Sequence, residues 1–337
     1  MVRFMSTAAK KRYYDVRDDR QKWRSLNILI GARRIGKTYS IIDYLINDCK
    51  GMFIYLRNKD TQIKACASAF GNPFKKWNAL NGRNIIIKNA AECGYIYDAQ
   101  NEDEPRMIGY AVALSTFENL RGVSLDDVTD VFFDEFIEKK KLQFEQFSTF
   151  SSFYDTVNDN REAEGREALR VFMASNAQRL NSPILAGYNL IPAIEGMIGS
   201  GQKNFSRGKI WVTLPEAAIS EERKSMGLNA EIEGTSYYEE AINNKFANDD
   251  FTGIGKRKLI EFIGIARIDD IYIYKHKSNG TLYACSVPCE NVQLYRSDVN
   301  RLVLLAGILP ILATAYAENR LYFSDFTVKS KLFEILR

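Results

Sequence analysis

Eight residues near the start of the chain have the spacing of a phosphate-binding loop. Residues 31–38 match the pattern G-x-x-x-x-G-K-[ST], whose glycines let successive backbone N–H groups point at phosphate oxygens. Lys37 is the residue that reaches the β- and γ-phosphates, and the hydroxyl of Thr38 is a ligand for Mg²⁺. A helix beginning here adds the positive end of its dipole. The predicted nucleotide-binding residues are Gly31, Ala32, Arg33, Arg34, Ile35, Gly36, Lys37 and Thr38.

An acidic segment supplies the second half of such a site. Residues 130–136 read D-V-F-F-D-E-F, an apolar run that ends in two adjacent acids. We predict that Asp134 holds Mg²⁺ through water, approaching the metal from the neighbouring strand. We predict that Glu135 orients and deprotonates the attacking water, as a general base does. The alternative interpretation is a solvated pair of acids that follows a buried strand.

A third segment bears on which nucleotide is used. Asn58-Lys59-Asp60-Thr61 resembles the guanine-reading pattern N-K-x-D, but its acid stands one place too early. We therefore predict ATP and Mg²⁺ as cofactors rather than GTP.

Two further segments are typical of a motor. Residues 170–174 read as a short buried strand, and the polar Ser175 and Asn176 at its end are suited to sensing the γ-phosphate; an ordinary strand-end turn is the alternative. In the loop before residue 128, Arg121 precedes a glycine. It is either a surface charge or a residue that reaches the nucleotide of another subunit.

Apolar strands alternate with helical stretches through the first 210 residues, which predicts an α/β fold with a parallel sheet buried on both faces. The pattern weakens around residues 216–255. Beyond them, two strand patterns flank Asn279-Gly280, a hairpin signal, and two helices are predicted over 299–318 and 326–336. The predicted domains are a P-loop ATPase domain at 1–210, a small helical linker or lid at 211–255 and a smaller α+β domain at 256–337.

Composition adds weaker constraints. With 46% hydrophobic and 26% charged residues, the chain is not a disordered one. The apolar run 302–317 is shorter than the ~20 residues that a membrane span needs, so we predict a buried helix and no membrane contact.

The five cysteines are widely spaced and predict reduced thiols in a cytosol-like compartment. Cys285, Cys289 and His276 lack a fourth ligand for a zinc site.

The net charge of +4 equals the surplus of residues 256–337, which hold 12 Lys and Arg against 8 Asp and Glu. We predict that this basic segment binds the backbone of a nucleic acid without reading its sequence. Lys275 and Lys277 are the predicted contacts, and a merely solvated turn is the alternative.

With these motifs in order, the chain resembles the viral genome-packaging ATPases of the phi29 type from small tailed phages. The resemblance is carried by residues 30–37, 131–136 and 175–177, and it extends to 234–237 and 244–246. It implies an ASCE-type P-loop ATPase domain and a C-terminal domain like an RNase H-like nuclease that has lost its carboxylates. It also implies ATP-driven translocation of double-stranded DNA into a preformed prohead.

The resemblance implies partners and residue roles as well. The family forms a homomeric ring, expected to have five subunits, on the portal (connector) protein of the prohead, and some members bind a structural RNA there. The ring would act in the host cytoplasm. Asn176 would couple hydrolysis to movement, and Arg121 matches a basic residue that reaches a neighbour. The family's trans-acting arginine does not align cleanly, and Arg161 and Arg166 are its nearest substitutes.

Two alternatives belong to other functional classes. A terminase large subunit would also cut DNA, which needs two or three carboxylates converging on one sheet. The C-terminal segment offers only Glu261 in a strand pattern and Asp269-Asp270 at a tight turn, so we expect no nuclease activity. A P-loop signalling switch would bind nucleotide and a partner without moving DNA.

Overall fold

A computed structural model describes most of the chain as two compact units. The first comprises Met1–Gly187 and Gly196–Asn248, and the second comprises Tyr188–Glu195 and Asp249–Arg337. The described residues are 12–90, 93–101, 103–120, 125–138, 145–176, 180, 182–235, 238–239, 242, 253–299 and 301–336.

The described part of the first unit is built on a nine-stranded sheet of order β3-β4-β5-β2-β6-β7-β1-β9-β8. Six neighbouring strands of this sheet run parallel: β5, β2, β6, β7, β1 and β9. Antiparallel strands flank them, β3 and β4 on one side and β8 on the other. The predicted α/β fold with a large parallel sheet is confirmed. The strands are β1 (Leu26–Ile30), β2 (Met52–Arg57), β3 (Ile85–Asn89), β4 (Gly94–Asp98), β5 (Arg106–Ala113), β6 (Val128–Asp134), β7 (Arg170–Ser175), β8 (Asn204–Arg207) and β9 (Ile210–Thr213).

The central strands are apolar because both faces of a parallel sheet are covered. All five residues of β1 are buried, including the polar Asn27, whose side-chain amide donates to the carbonyls of Arg24 and Val171. The described helices of this part of the chain are α1 (Lys37–Asn47), α2 (Asp60–Cys66), α3 (Lys75–Asn81), α4 (Gln146–Asn158), α5 (Pro183–Gly187), α6 (Ile191–Ser200) and α7 (Ile219–Lys224), with 3-10 turns at Val16–Lys22, Leu114–Leu120 and Ala230–Ile232.

The hairpin β8–β9 extends this sheet past the point where the sequence pattern ends. β9 pairs in parallel with β1, and β8 pairs with β9 across a turn at Gly208. Four-residue strands carry too few residues to establish a period of two, so the pattern did not predict them.

The described part of the second unit has a five-stranded sheet of order β13-β10-β11-β12-β14. The predicted hairpin is confirmed, since β11 and β12 pair antiparallel on either side of the turn at 278–280. The short strands β13 and β14, which add in parallel at the two edges, were not predicted. The elements are β10 (Phe262–Ile268), β11 (Ile271–His276), β12 (Leu282–Cys285), β13 (Gln293–Tyr295), β14 (Leu321–Phe323), a 3-10 turn (Leu259–Glu261) and helices α8 (Arg301–Ala306), α9 (Ile308–Ala317) and α10 (Phe326–Leu336).

The prediction of one buried helix over 302–317 is wrong. The chain breaks at Gly307 into α8 and α9, and the outward side chains Ile311 and Tyr316 are exposed. Pro310 sits in the first turn of α9, where a missing N–H breaks no helical hydrogen bond. No helix in the described ranges is both long enough and apolar enough to cross a bilayer.

A glycine in the middle of the large sheet yields a test of its packing. A Cβ atom at Gly109 of β5 would lie 2.2 Å from the carbonyl oxygen of Phe53 in β2. We expect Gly109→Ala to lower the free energy of unfolding by about 1–3 kcal/mol, the usual cost of overpacking. Urea unfolding measures it, with Gly199→Ala in helix α6 as the control because no atom lies within 4 Å of its added Cβ. Equal stability of Gly109→Ala and the wild type would contradict the close strand contact.

Candidate active site

Three strands of the first unit end side by side at one edge of the sheet. β7 lies between β1 and β6, with Ile30 opposite Ser175 and Asp134 opposite Ala174. The N–H of Gly31 donates to the carbonyl of Ser175 over 3.1 Å, which ties the phosphate loop to the end of β7. The expectation that the strand of Asp134 neighbours β1 is therefore wrong. Chain order does not reveal that β7 inserts between them.

A cavity of about 790 Å³ opens at this edge, within the range of small-molecule sites. Its lining brings together most of the predicted site residues, although Gly31, Ala32 and Arg33 are not among them. The predicted residues that line it are Arg34, Ile35, Gly36, Lys37, Thr38, Asp134, Glu135, Ser175 and Asn176.

The phosphate loop is held by a segment that precedes it in the chain. Gly36 has φ 112°, and a Cβ atom there would lie 2.8 Å from the carbonyl oxygen of Tyr14, so only glycine fits. The N–H of Tyr14 donates to the carbonyl of Ile35 over 2.9 Å. Arg34 also has a positive φ of 60° and is exposed at the cavity. Sequence reasoning missed Tyr14, because no motif spacing links it to the loop.

Lys37 is buried beneath the loop, with 6% of its surface exposed. Its Nζ donates to the carbonyls of Gly31 and Ala32 over 2.8 and 2.6 Å. Burial lowers the pKa of Lys37 to about 7, because the ammonium loses water; the nearby Asp134 carboxylate opposes this shift, and Arg33 and Arg223 add to it. The hydrogen-bond partners of the ammonium are neutral carbonyls, and phosphate oxygens would add negative ones.

Thr38 and Asp134 form an oxygen pair suited to Mg²⁺. The Thr38 hydroxyl donates to Asp134 Oδ1 over 3.3 Å, and the Tyr55 hydroxyl donates to Oδ2 over 3.0 Å. Burial raises the pKa of Asp134. A hydroxyl and a carboxylate are the hard oxygen ligands that Mg²⁺ takes in phosphate sites, so the donor set fits this ion.

Arg57, at the end of β2, binds both acids at the cavity and was missed by sequence reasoning. Its Nη1 donates to Asp134 Oδ2 over 3.2 Å, and its Nη2 donates to Glu135 Oε2 over 2.6 Å. The Glu135 side chain is 56% exposed, whereas that of Asp134 is buried. No motif in the sequence relates Arg57 to the two acids, because β2 and β6 become neighbours only in the folded sheet.

The end of β7 offers polar atoms to a ligand. Ser175 is 3% exposed, and its Oγ has no hydrogen-bond partner among the residues that the structure describes. Asn176 is half-buried beside it, and both line the cavity. A buried hydroxyl without a partner is costly, and a ligand oxygen in the cavity would satisfy this one.

The far wall of the cavity comes from helix α7, within the segment that we predicted as a linker. Arg223 is 9% exposed and its guanidinium donates to the carbonyl of Arg33, while Ile219 and Met226 add apolar surface. Spacing alone could not relate this arginine to a loop 190 residues earlier.

The arginines predicted to act across subunits differ in their surroundings. Arg161 is 4% exposed and donates to the backbone carbonyls of Asp126, over 2.7 Å, and Val128. Arg166 is half-buried and pairs with Glu164 over 2.6 Å. Arg121 lies outside the described residues.

The two lysines predicted to bind nucleic acid lie in the second unit. Lys275 is the last residue but one of β11 and Lys277 directly follows the strand, and both are exposed. Lys277 Nζ donates to the carbonyl of Ile260 over 2.7 Å.

Comparison with known proteins places these features in a family context. The family described as Podovirus DNA encapsidation protein (Gp16) matches residues 8–283 of this chain. The DNA packaging proteins of Bacillus phage PZA and Bacillus phage phi29 are each 27% identical over 246 residues. These alignments cover 69% of this chain and 66% of each relative, slightly less than two thirds of the relatives' length.

Two solved structures share the fold. A chain of the bacteriophage Phi-29 viral genome packaging motor assembly superposes with a TM-score of 0.63 at 23% identity, covering 97% of this chain and all of the other. A chain of the Phi-28 gp11 DNA packaging motor gives a TM-score of 0.60 at 16% identity, covering 96% and 98%.

The pKa of Lys37 leads to a test of the phosphate loop. Phosphate oxygens around the ammonium raise its pKa, so the nucleotide complex binds more protons than the free protein. We therefore expect ATP affinity to fall as the pH rises above 7, by up to about tenfold per pH unit, and to level off below 7. Titrations of ATP at several pH values measure this slope. Lys37→Met should bind weakly and lose the slope, and an equal slope in both proteins would contradict the assignment.

Proposed function

The chain belongs to the Podovirus DNA encapsidation protein (Gp16) family, and from this premise we propose that it is an ATP-driven motor. It moves double-stranded viral DNA into a preformed prohead in the host cytoplasm. The relatives named DNA packaging proteins support this proposal.

The observation that carries the proposal is the meeting of Thr38 and Asp134 at 3.3 Å, on the cavity that Lys37 and Glu135 also line. In this arrangement Lys37 and the loop N–H groups bind the phosphates of ATP. Thr38 and Asp134 would hold Mg²⁺, which would supply positive charge to neutralise the phosphates.

Glu135 is the general base of the proposed hydrolysis. It is the exposed acid of the pair, and it takes a proton from the water that attacks the γ-phosphate. Its carboxylate is paired with Arg57, so it must turn from the guanidinium toward the water. Ser175 and Asn176 lie at the adjacent strand end, where they contact the γ-phosphate and respond to its loss.

We propose that the active form is a homomeric ring of five subunits that docks on the portal protein, and that a structural RNA contributes at that vertex. In this ring, an arginine of the adjacent subunit contacts the nucleotide bound at each site. Arg166 is the better candidate of the two described arginines because the guanidinium of Arg161 is buried against its own chain. Arg121 remains a candidate from its sequence position.

The second unit is proposed to bind a nucleic-acid backbone through Lys275 and Lys277 without cutting it. The acids considered for a nuclease face different partners, since Asp269 accepts from Ser297 and Asp270 pairs with Lys331. Among the described residues, no group of three or more His, Cys, Asp or Glu side chains is placed to hold a metal ion. We therefore propose no nuclease function.

Hydrolysis is tested by removing the proposed base. Glu135→Gln should bind ATP as the wild type does and hydrolyse it at least ~10²-fold more slowly, the scale of a lost general base. The assay is ATP turnover with and without double-stranded DNA and purified proheads. Lys37→Ala is the control that should lose binding itself. Turnover by Glu135→Gln at the wild-type rate would refute the catalytic assignment, and turnover indifferent to DNA and proheads would favour a signalling switch.

Action across subunits is tested by mixing two inactive proteins. Arg166→Ala and Glu135→Gln should each fail alone, and their mixture should regain activity at interfaces where one subunit supplies the glutamate and its neighbour the arginine. The control mixes Glu135→Gln with Lys37→Ala. Each of these changes inactivates the site of the subunit that carries it, so this mixture should not regain activity. Full activity of Arg166→Ala alone, or no recovery in its mixture, would exclude Arg166 as the residue acting in trans.

A further inference from the structure

The backbone of Glu135 adopts a conformation that its surroundings must hold. Its φ is 53°, in the left-handed region that glycine favours. In a continued strand, consecutive side chains point to opposite faces, so Asp134 and Glu135 would diverge. The left-handed turn instead lets both acids line one cavity. A backbone of this kind persists where neighbouring groups over-determine it.

Two buried side-chain amides bind the carbonyls that follow this turn. Asn58 Nδ2 donates to the carbonyl of Glu135 over 3.1 Å, and Gln146 Nε2 donates to the carbonyl of Phe136 over 2.7 Å. The amides are also joined to each other, because Gln146 Nε2 donates to Asn58 Oδ1 over 2.6 Å. Asn58 is 0% exposed and Gln146 1%, so water does not compete for these bonds.

The amides come from two separate elements, and each is anchored. Asn58 directly follows β2, and its own carbonyl accepts from the N–H of Ser115 over 3.1 Å. It is also adjacent to Arg57, which binds the Glu135 carboxylate. Gln146 is the first residue of α4. The backbone at Glu135 is thus fixed by Asn58 and Gln146, while its carboxylate pairs with Arg57.

We infer that Asn58 and Gln146 are positioning residues that set the angle at which the Glu135 carboxylate enters the cavity. This inference rests on the proposed role of Glu135 in hydrolysis. It also gives Asn58 a function unrelated to reading a base, because its side-chain amide binds within the protein. The first turn of α4 thereby becomes part of the hydrolytic apparatus without touching the nucleotide.

The test replaces Gln146 by methionine, which has similar length and no N–H donor. We expect the kcat of ATP hydrolysis to fall about 10- to 100-fold, the scale of a misplaced catalytic group. The Kd for ATP should not change, because the groups of Lys37 and Thr38 that bind it are untouched. Gln62→Met is the matched control, since the Gln62 side-chain amide donates to Glu138 over 3.3 Å rather than to the carbonyls after Glu135. It should keep the wild-type kcat.

A double-mutant cycle separates positioning from general destabilisation. If Gln146 acts through Glu135, Gln146→Met should cause no further loss of single-turnover rate in a Glu135→Gln background. A loss of the same size in both backgrounds would overturn the inference. So would a wild-type kcat in Gln146→Met while Glu135→Gln is inactive.

A second substitution keeps the test decisive if the methionine variant does not fold. Gln146→Asn retains the amide but shortens it by one methylene, so it cannot reach both carbonyl partners, and kcat should again fall with Kd unchanged. A wild-type kcat in this variant would overturn the inference. Wild-type turnover by Glu135→Gln would instead refute the proposed function, so the two failures are distinguishable.

Discussion

The parallel pairing of β1, β7 and β6 is the constraint on which the site depends. Parallel strands in register end at the same edge of a sheet. The phosphate loop that follows β1 therefore meets Ser175 and Asp134 without any contribution from the loops beyond. Most residues of these strands are buried and most are apolar, which keeps the strands in the middle of the sheet, covered on both faces. If the pairing register of β6 shifted by one residue, each side chain of β6 would point to the opposite face of the sheet. Asp134 would then be separated from Thr38.

Burial of charge at that edge explains why the site favours a charged ligand. Lys37 is held by two neutral carbonyls, whereas Asp134 is held by a tyrosine, a threonine and one arginine. The hydrogen-bond partners of the lysine are both neutral, and the charge of Asp134 offsets its burial only in part. A nucleotide with its metal would bring negative charge to the lysine and positive charge to the aspartate. The fold thereby creates a site whose electrostatics suit such a ligand.

The parts of the site that could be predicted are those whose residues are neighbours in the chain. Lys37, Thr38, Asp134 and Glu135 stand in short motifs whose spacing predicts their roles, although it does not predict the strand order that brings the two motifs together. Arg57, Tyr14 and Arg223 come from separate elements that meet only after folding, so one sequence holds no signal that relates them. The helix break at Gly307 could not be predicted for another reason. An apolar run has the same residue pattern whether it forms one helix or two.

Both margins of the nine-stranded sheet end in antiparallel hairpins, and this has a consequence for self-association. The outermost strands, β3 and β8, are only five and four residues long and end in exposed polar side chains: Lys88, Asn89, Ser206 and Arg207. Short strands with charged ends are poor templates for strand addition from a second molecule. Molecules at high local concentration are thereby protected from aggregation through the edges of this sheet. Any specific assembly would use side-chain and loop surfaces, which can form and release contacts without unpairing backbone.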